Sequence, residues 1–282
     1  DEKNEKLNHD VLVGDLDLLE SAHAKLHGLL ISTRMRKLMT EFGQRETDVY
    51  VASYPRSGTT LMQMMLYQMT TPGAMDFDHL YEVSPWCRFS AFFKRPMANA
   101  GDPRIVKTHD PYSLFEHIQK GKFIFIVRNC LDVIPSIYQQ TKDYIDPIAN
   151  FDQLSDRNMK NWFEYNMKWI ENKNGHPILY VTYEDILINK AKVVSTISKF
   201  LNIELTDQIV DRVLQRTSFD FMKQHEAKFG EQPEHWRVYN NFIRSGRAGE
   251  GKLKFNSNQL STFQDLSKQY KIEGTVLEKY IL

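Results

Sequence analysis

Four short, mainly apolar runs are spaced along the chain, with longer segments of helical pattern between and after them. The runs are rich in β-branched and aromatic residues, as strands are, and they lie at 49–52, 104–107, 123–127 and 178–181. The helical patterns lie at about 21–42, 59–67, 131–140, 190–201 and 206–215. Strands that alternate with helices predict an α/β fold with a central, mostly parallel sheet flanked by helices.

Two long stretches lack such a pattern. Residues 74–100 carry many aromatic side chains without periodicity, so we expect a loop-like segment that either fills a core or borders an apolar pocket. Residues 226–254 are polar and contain glycines, which predicts either a flexible flap over an anion or a solvated surface loop. Because no linker divides the chain, we expect one domain over 1–282, with an N-terminal helical segment over 1–45 and terminal helices over 258–282.

The first apolar run leads into a turn and then into a helical pattern. The turn contains the sequence Tyr54-Pro55-Arg56-Ser57-Gly58-Thr59-Thr60, which predicts a P-loop-like strand, loop and helix, with the helix beginning at Gly58 or Thr59. Helix N-termini expose unpaired N–H groups and carry a partial positive charge, so they attract anions. Arg56 adds a full charge. An ordinary strand–turn–helix corner is the alternative interpretation.

Polar and basic residues also follow the other three predicted strands. They are Thr108 and His109, then Arg128, and finally Thr182 and Tyr183. In parallel α/β sheets, ligands bind beyond the carboxyl ends of the strands. The sequence therefore predicts one site at this edge of the sheet, where these residues meet the phosphate loop.

Composition narrows the classes of function. Lys and Arg together number 36, as do Asp and Glu, so the charge balance argues against non-specific nucleic-acid binding and limits an anion site to a local pocket. The two cysteines have no paired spacing, which fits a reducing, cytoplasmic compartment. No apolar run approaches the ~20 residues that a membrane-spanning helix needs. We therefore expect no nucleic-acid partner and no membrane segment.

A nucleoside triphosphatase or kinase is the first alternative for such a loop. Those enzymes place a lysine and a Ser or Thr directly after the final glycine, whereas Thr59 follows Gly58 here and the basic residue, Arg56, precedes it. They also need an acidic residue at a strand end to hold magnesium, whereas the strongest strand here leads into Arg128. The residues favour a transfer without a metal. Such a transfer is easier for a sulfuryl group, because it carries less negative charge than a terminal phosphoryl group.

In these motifs the chain resembles the cytosolic sulfotransferases, over about 48–252. The resemblance implies transfer of a sulfuryl group from 3′-phosphoadenosine 5′-phosphosulfate (PAPS) to a hydroxyl, less often an amine, of a small and apolar acceptor such as an alcohol or phenol. It further implies in-line transfer, adenosine 3′,5′-bisphosphate (PAP) as the product, and no metal.

The resemblance assigns three catalytic residues. His109, in the sequence Lys107-Thr108-His109, would accept the proton of the acceptor hydroxyl, and histidine suits this task because its ordinary pKa lies near neutrality. Lys107 would hold the transferring group as charge moves onto its oxygens. Arg56 stands where the family usually has a lysine. It keeps the charge that stabilises the bridging oxygen, although arginine does not readily donate a proton.

The resemblance also assigns the nucleotide contacts. Arg128 and Ser136 would bind the 3′-phosphate with a charge and a hydroxyl, Phe219 would stack on adenine, and the segment from Phe242 would close over the nucleotide as a flap. The full predicted set is Arg56, Ser57, Gly58, Thr59, Thr60, Leu61, Arg128, Ser136, Tyr183, Thr217, Ser218, Phe219, Met222, Phe242, Arg244, Ser245 and Gly246.

Three residues depart from the family pattern. Leu61 and Gly251 replace tryptophans, and Ser245 replaces a lysine of the flap. These departures leave open a catalytically weakened member that binds a nucleotide or a lipophilic molecule, and an ATP-dependent kinase or hydrolase stays open beside it. The family's short dimer motif is not recognisable around 255–257, so the sequence predicts no particular oligomeric state.

Overall fold

The computed structural model describes residues 16–98, 101–230 and 242–282. These residues form two compact units, and the first contains 16–43 and 87–97 while the second contains the remainder. The strands are β1 (Val49–Ser53), β2 (Ile105–Thr108), β3 (Lys122–Val127) and β4 (Ile178–Thr182). The helices are α1 (Leu16–Phe42), α2 (Thr59–Thr70), α3 (Cys87–Phe92), α4 (Cys130–Tyr144), α5 (Phe151–Glu171), α6 (Tyr183–Ile188), α7 (Lys190–Leu201), α8 (Asp207–Arg216), α9 (Phe219–Gln224) and α10 (Ser257–Gln269).

The first unit is helical and contains α1 and α3, which contact each other. The ring of His27 on α1 meets the ring of Phe92 on α3 edge-on, with 5.8 Å between the centroids. The helix predicted over 21–42 is confirmed and begins earlier, at Leu16. Among the described helices, including this one, none is long and apolar enough to cross a bilayer.

The second unit contains a sheet in the order β2-β1-β3-β4, and all of its strand pairs are parallel. Within β1, Tyr50 is in register with Val106 on one side and Phe123 on the other. Every residue of β1 is buried. The predicted α/β fold with a central parallel sheet is therefore confirmed.

Helices cover both faces of this sheet. On one face, Met62 and Leu66 of α2 lie in the same buried cluster as Val51 and Ile124. On the other face, the Trp169 ring of α5 stacks on the Phe125 ring of β3, with 5.3 Å between the centroids. A strand that is buried on both faces is apolar at successive positions rather than at alternate ones, which explains the continuous apolar runs of the sequence.

The structure contains helices that the sequence did not predict, among them the short α6 and α9. No element was predicted over 151–171, where α5 forms the longest helix of the described part of the second unit. Residues 74–100 were expected to be loop-like, and this is wrong for the part that forms α3 and the short 3₁₀ turn Leu80–Glu82. Of the predicted flap over 226–254, residues 231–241 lie outside the described residues. The prediction of one domain over 1–282 stays a prediction.

Candidate active site

The phosphate loop joins β1 to α2 through two residues with left-handed backbone. Arg56 has φ +67°, and Gly58, the N-cap of α2, has φ +97°. A Cβ atom at Gly58 would lie 2.6 Å from Cδ2 of Tyr183. Glycine is therefore required at this position both by its backbone conformation and by the close approach of the Tyr183 ring. The hydroxyls of Ser53 and Thr59 lie 2.6 Å apart and connect the two ends of the loop.

Arg56 of this loop lies close to Arg128, which follows β3. The guanidinium of Arg56 donates from Nε to Ser136 Oγ and from Nη2 to the Phe242 carbonyl, each over 3.0 Å. Arg128 donates from Nη1 to the Arg56 carbonyl over 3.0 Å, and its guanidinium carbon lies 4.4 Å from the centre of the Tyr183 ring. The structure thus brings together five of the predicted nucleotide-binding residues.

Positive charge is concentrated in this cluster. Burial, followed by the charges of Arg128 and Arg244, lowers the pKa of Arg56 to about 10, while Tyr144 and Tyr183 oppose this shift. Two buried polar atoms at the loop, Ser57 Oγ and Arg128 Nε, have no hydrogen-bond partner among the described residues. Buried polar groups are normally satisfied. The cluster therefore suits an anion that supplies acceptor oxygens.

The described end of the flap packs against the same region. Arg128 donates from Nη2 to the Arg247 carbonyl over 3.0 Å. Asp132 of α4 accepts hydrogen bonds from the Gly249 and Gly251 N–H groups over 2.7 and 2.8 Å. A Cβ atom at Gly251 would lie 1.8 Å from the Leu131 carbonyl oxygen. The glycine that replaces the tryptophan of the family pattern is thus required by the close approach of this segment to α4.

The segment predicted to contact adenine, residues 217–222, contains both buried and exposed side chains. Thr217 is buried and donates from its hydroxyl to the Val213 carbonyl, while Ser218 caps α9. Met222 lies in the apolar core. Phe219, in contrast, is 42% exposed, and a Cβ atom at Gly246 would lie 2.4 Å from its ring. Phe219 is therefore the member of this segment whose ring is open to a ligand.

The remaining predicted nucleotide residues lie beside these groups. Leu61 of α2 is partly buried and packs against the apolar core, Thr60 and Ser245 are half-buried, and Arg244 is exposed. Arg244 is near enough for its charge to lower the pKa of Arg56. These residues stay predicted contacts.

His109 follows β2 and is held by the end of β1. Its Nδ1 atom lies 2.8 Å from the Ser53 carbonyl oxygen. Because a carbonyl oxygen only accepts, we assign the proton to Nδ1, which leaves the lone pair on Nε2. The Tyr165 hydroxyl donates to the same carbonyl over 2.9 Å. In this tautomer, Nε2 is the ring atom of His109 that can accept a proton.

Lys107 lies two residues before His109 and is 4% exposed. Its Nζ atom donates to the Tyr81 hydroxyl over 2.9 Å and lies 4.2 Å from the centre of the Trp86 ring. The Trp86 ring also meets the His109 ring edge-on, with 5.4 Å between the centroids. The sequence prediction did not include Tyr81, Trp86 or Tyr165, although the first two belong to the aromatic stretch over 74–100.

Burial, followed by the charge of Lys107, lowers the pKa of His109 to about 3, with the hydrogen bond to Ser53 opposing and the charge of Arg56 adding to this shift. Since this pKa lies below the ordinary value, His109 is neutral at neutral pH, and the stability that depends on the neutral ring is lost as the pH falls from about 6.5 toward 3.

We expect the ring resonances of His109 to show no protonation down to about pH 5 in the nucleotide-free protein. Addition of PAP should raise this pKa, because nearby phosphates favour the imidazolium form. Nitrogen-15 NMR of the histidine rings measures both effects, with His109→Gln to assign the signal. A titration midpoint near the ordinary value in the nucleotide-free protein would contradict the burial of this ring.

Replacement of Gly58 by alanine should cost more stability than the same change at Gly175. Both glycines have positive φ, at +97° and +66°, but nothing lies within 4 Å of a Cβ atom at Gly175. Gly175→Ala should therefore lose only the conformational term of about 1–2 kcal/mol in the free energy of unfolding. Gly58→Ala adds a collision with Tyr183 and should also weaken PAP binding. Equal losses by chemical denaturation would show that the Tyr183 contact is unimportant.

Comparison with known proteins agrees with these motifs. Residues 46–276 match the family described as "Sulfotransferase domain". Sulfotransferase 1A1 of Rattus norvegicus is 30% identical over 242 residues, which cover 77% of this chain and 81% of that protein. Sulfotransferase 1B1 of Canis lupus familiaris is 28% identical over 262 residues, which cover 84% of this chain and 88% of that protein.

Two solved structures share the fold. Mouse sulfotransferase SULT7A1 complexed with PAP superposes with a TM-score of 0.67 at 21% identity, covering 89% of this chain and 92% of that one. Retinol dehydratase in complex with retinol and PAP superposes with a TM-score of 0.65 at 20% identity, covering 84% of each chain. The overall fold is therefore shared with both proteins.

Proposed function

The chain belongs to the sulfotransferase family, and from that premise we propose that it transfers a sulfuryl group from PAPS to a hydroxyl of a small acceptor, with His109 as the base. One observation carries the assignment of the base. The Nδ1 atom of His109 is engaged by the Ser53 carbonyl at 2.8 Å, at the end of the strand that leads into the phosphate loop. Nε2 is therefore left as the proton acceptor of a neutral ring, whose pKa is lowered by burial and by the positive charge of Lys107.

The residues of the site fit a nucleotide with two anionic ends. The N–H groups at the start of α2, with Ser57 Oγ, offer donors to a 5′-phosphosulfate, and Arg128 with Ser136 offers a charge and a hydroxyl to a 3′-phosphate. The unpartnered Ser57 Oγ and Arg128 Nε support this fit. When bound, PAPS supplies an activated sulfuryl group attached through oxygen to its 5′-phosphate.

Each catalytic residue then has a defined task. Nε2 of His109 accepts the proton of the acceptor hydroxyl as its oxygen forms a bond to sulfur, while the bond from sulfur to the 5′-phosphate oxygen breaks and PAP leaves with that electron pair. Lys107 stabilises the negative charge on the transferring group. Arg56 adds charge between the two anion positions, since it bonds to Ser136 and also lowers the pKa of His109. Because arginine holds its proton firmly, its contribution is electrostatic.

The proposed acceptor is an apolar phenol or alcohol. Trp86 packs against both Lys107 and His109, so an aromatic wall lies next to the reacting groups. Apolar and aromatic walls with a few polar groups are typical of small-molecule sites. An amine acceptor is the less favoured alternative.

Transfer of radioactive sulfate from labelled PAPS to a panel of phenols, alcohols and sterols tests the function, with a chelator present to remove divalent cations. Sulfated product supports the proposal. Binding of PAP without transfer to any acceptor would instead support a catalytically weakened member that binds a nucleotide or lipophilic molecule. Binding of ATP with Mg²⁺ and not of PAP would support the kinase alternative.

A further inference from the structure

Lys107 is buried, and its ammonium group contacts Tyr81 and Trp86 from the segment before α3. The loop before α3 runs beside β2, where Trp86 and Lys107 form a parallel bridge and the Lys107 N–H donates to the Pro85 carbonyl over 2.8 Å. This arrangement places the rings of Tyr81 and Trp86 over Nζ, at 5.0 and 4.2 Å from their centres. The Trp86 ring therefore offers its face to the cation, while Tyr81 offers its hydroxyl.

Tyr81 itself is held in place by its own short turn. It belongs to the 3₁₀ turn Leu80–Glu82, whose N-cap His79 accepts from the Tyr81 N–H at Nδ1 over 3.1 Å and donates its own N–H to Glu82 over 3.0 Å. The other ring nitrogen of His79 lies 2.9 Å from the Gly230 carbonyl oxygen. Tyr81 therefore presents its hydroxyl from a backbone that is fixed on two sides.

We propose that Tyr81 is a positioning residue for sulfuryl transfer, because its hydroxyl accepts the hydrogen bond that fixes the Lys107 ammonium group for the transferring group. This inference rests on the proposed function. It assigns to Tyr81 an effect on turnover that acts through Lys107 and not through contact with the acceptor.

The chemistry of a phenol suits this task. A buried ammonium group needs a hydrogen-bond acceptor, because its desolvation is otherwise costly. A carboxylate would satisfy that need but would also cancel the positive charge, whereas a neutral hydroxyl and the aromatic face of Trp86 do not cancel it. Burial lowers the pKa of His79 and of His109, and the charge of Lys107 contributes to both shifts. The positive charge of Lys107 therefore acts on the ring of His109, next to which the transferring sulfuryl group is proposed to bind.

The test compares Tyr81→Phe, Lys107→Met and the double variant, with 2-naphthol as the acceptor and labelled PAPS as the donor. Tyr81→Phe keeps the ring and removes only the acceptor oxygen, so kcat should fall about tenfold, while KM for 2-naphthol and the Kd for PAP stay within about twofold. Lys107→Met should lower kcat by about 10²-fold. The double variant should be no slower than Lys107→Met, because Tyr81 acts through that lysine.

Tyr180→Phe is the matched control. It removes a phenol hydroxyl that donates to the Trp169 carbonyl over 3.0 Å, away from Lys107, and it should leave kcat unchanged. An unchanged kcat in Tyr81→Phe, a change confined to KM, or additive losses in the double variant would each overturn the inference while the proposed function stands. Absence of transfer by the wild-type protein, or an unchanged kcat in Lys107→Met, would overturn the proposed role of Lys107 and this inference with it.

Discussion

Replacement of His109 by alanine is expected to lower turnover by about 10²- to 10⁴-fold while PAP binding survives. The ring is the proton acceptor of the proposed reaction, whereas its contacts with the protein are a hydrogen bond to the Ser53 carbonyl and an edge-on packing contact with Trp86. Tyr165 donates to the same carbonyl, so the backbone oxygen keeps a partner in the variant. The loss should therefore appear in kcat and not in the affinity for the nucleotide.

Steady-state transfer from labelled PAPS and calorimetric titration with PAP measure the two quantities separately. His23→Ala, which changes an exposed histidine of α1, is the control. It should keep the turnover of the wild-type protein, because this histidine lies outside the candidate site. Added imidazole should restore part of the activity of His109→Ala, because it supplies the missing base. Unchanged turnover in His109→Ala would exclude His109 as the base and would direct the search to another proton acceptor.

Replacement of Arg128 by alanine should weaken PAP binding by about 10- to 100-fold, because it removes a charged hydrogen-bond donor from the proposed 3′-phosphate site. Its effect on 5′-AMP, which lacks that phosphate, should be much smaller. Arg128→Lys should recover only part of the affinity, since an ammonium group lacks the planar donor geometry of guanidinium. The preference for PAP over 5′-AMP is therefore the quantity that reports on this residue.

Arg128 also supports the protein itself, through its bonds to the Arg56 and Arg247 carbonyls and its contact with the Tyr183 ring. A general loosening of the loop would weaken PAP and 5′-AMP alike, and this outcome would contradict a specific contact with the 3′-phosphate. Thermal unfolding of Arg128→Ala without nucleotide measures how much Arg128 contributes to the stability of the protein. Arg36→Ala, at an exposed position on α1, should leave both affinities unchanged.

Much of the sheet could be predicted because its strands are apolar at successive positions and end in polar residues. Helix α5 could not be recognised so easily, since its buried face contains the polar residues Ser155, Asn158 and Asn166 among the apolar ones. Two of them donate from their side-chain amides within the helix: Asn158 to the Leu154 carbonyl and Asn166 to the Trp162 carbonyl. A polar residue that bonds to its own helix interrupts the apolar stripe in the sequence without exposing the helix to water.

The position of a candidate site residue could be predicted where that residue directly follows a strand. Arg56, His109 and Arg128 all follow strands, and the parallel sheet brings them to one edge. Tyr81 could not be predicted in this way, because its approach to Lys107 depends on the bridge between Trp86 and β2. No local sequence pattern predicts that bridge. The contact of Gly251 with the Leu131 carbonyl is likewise tertiary, so a departure from the family pattern could be seen in the sequence but not explained there.

The central position of β1 has a consequence for how the chain reaches its native state. Both neighbours of β1 are parallel and come later in the chain, since Val49 is in register with Ile105 on one side and with Lys122 on the other. Parallel strands cannot pair as a hairpin, so β1 and the methionine-rich α2 leave the ribosome well before their partners. Refolding after dilution from denaturant should therefore be slow and prone to aggregation. During synthesis, a chaperone would be expected to bind this apolar segment while its partner strands are still absent.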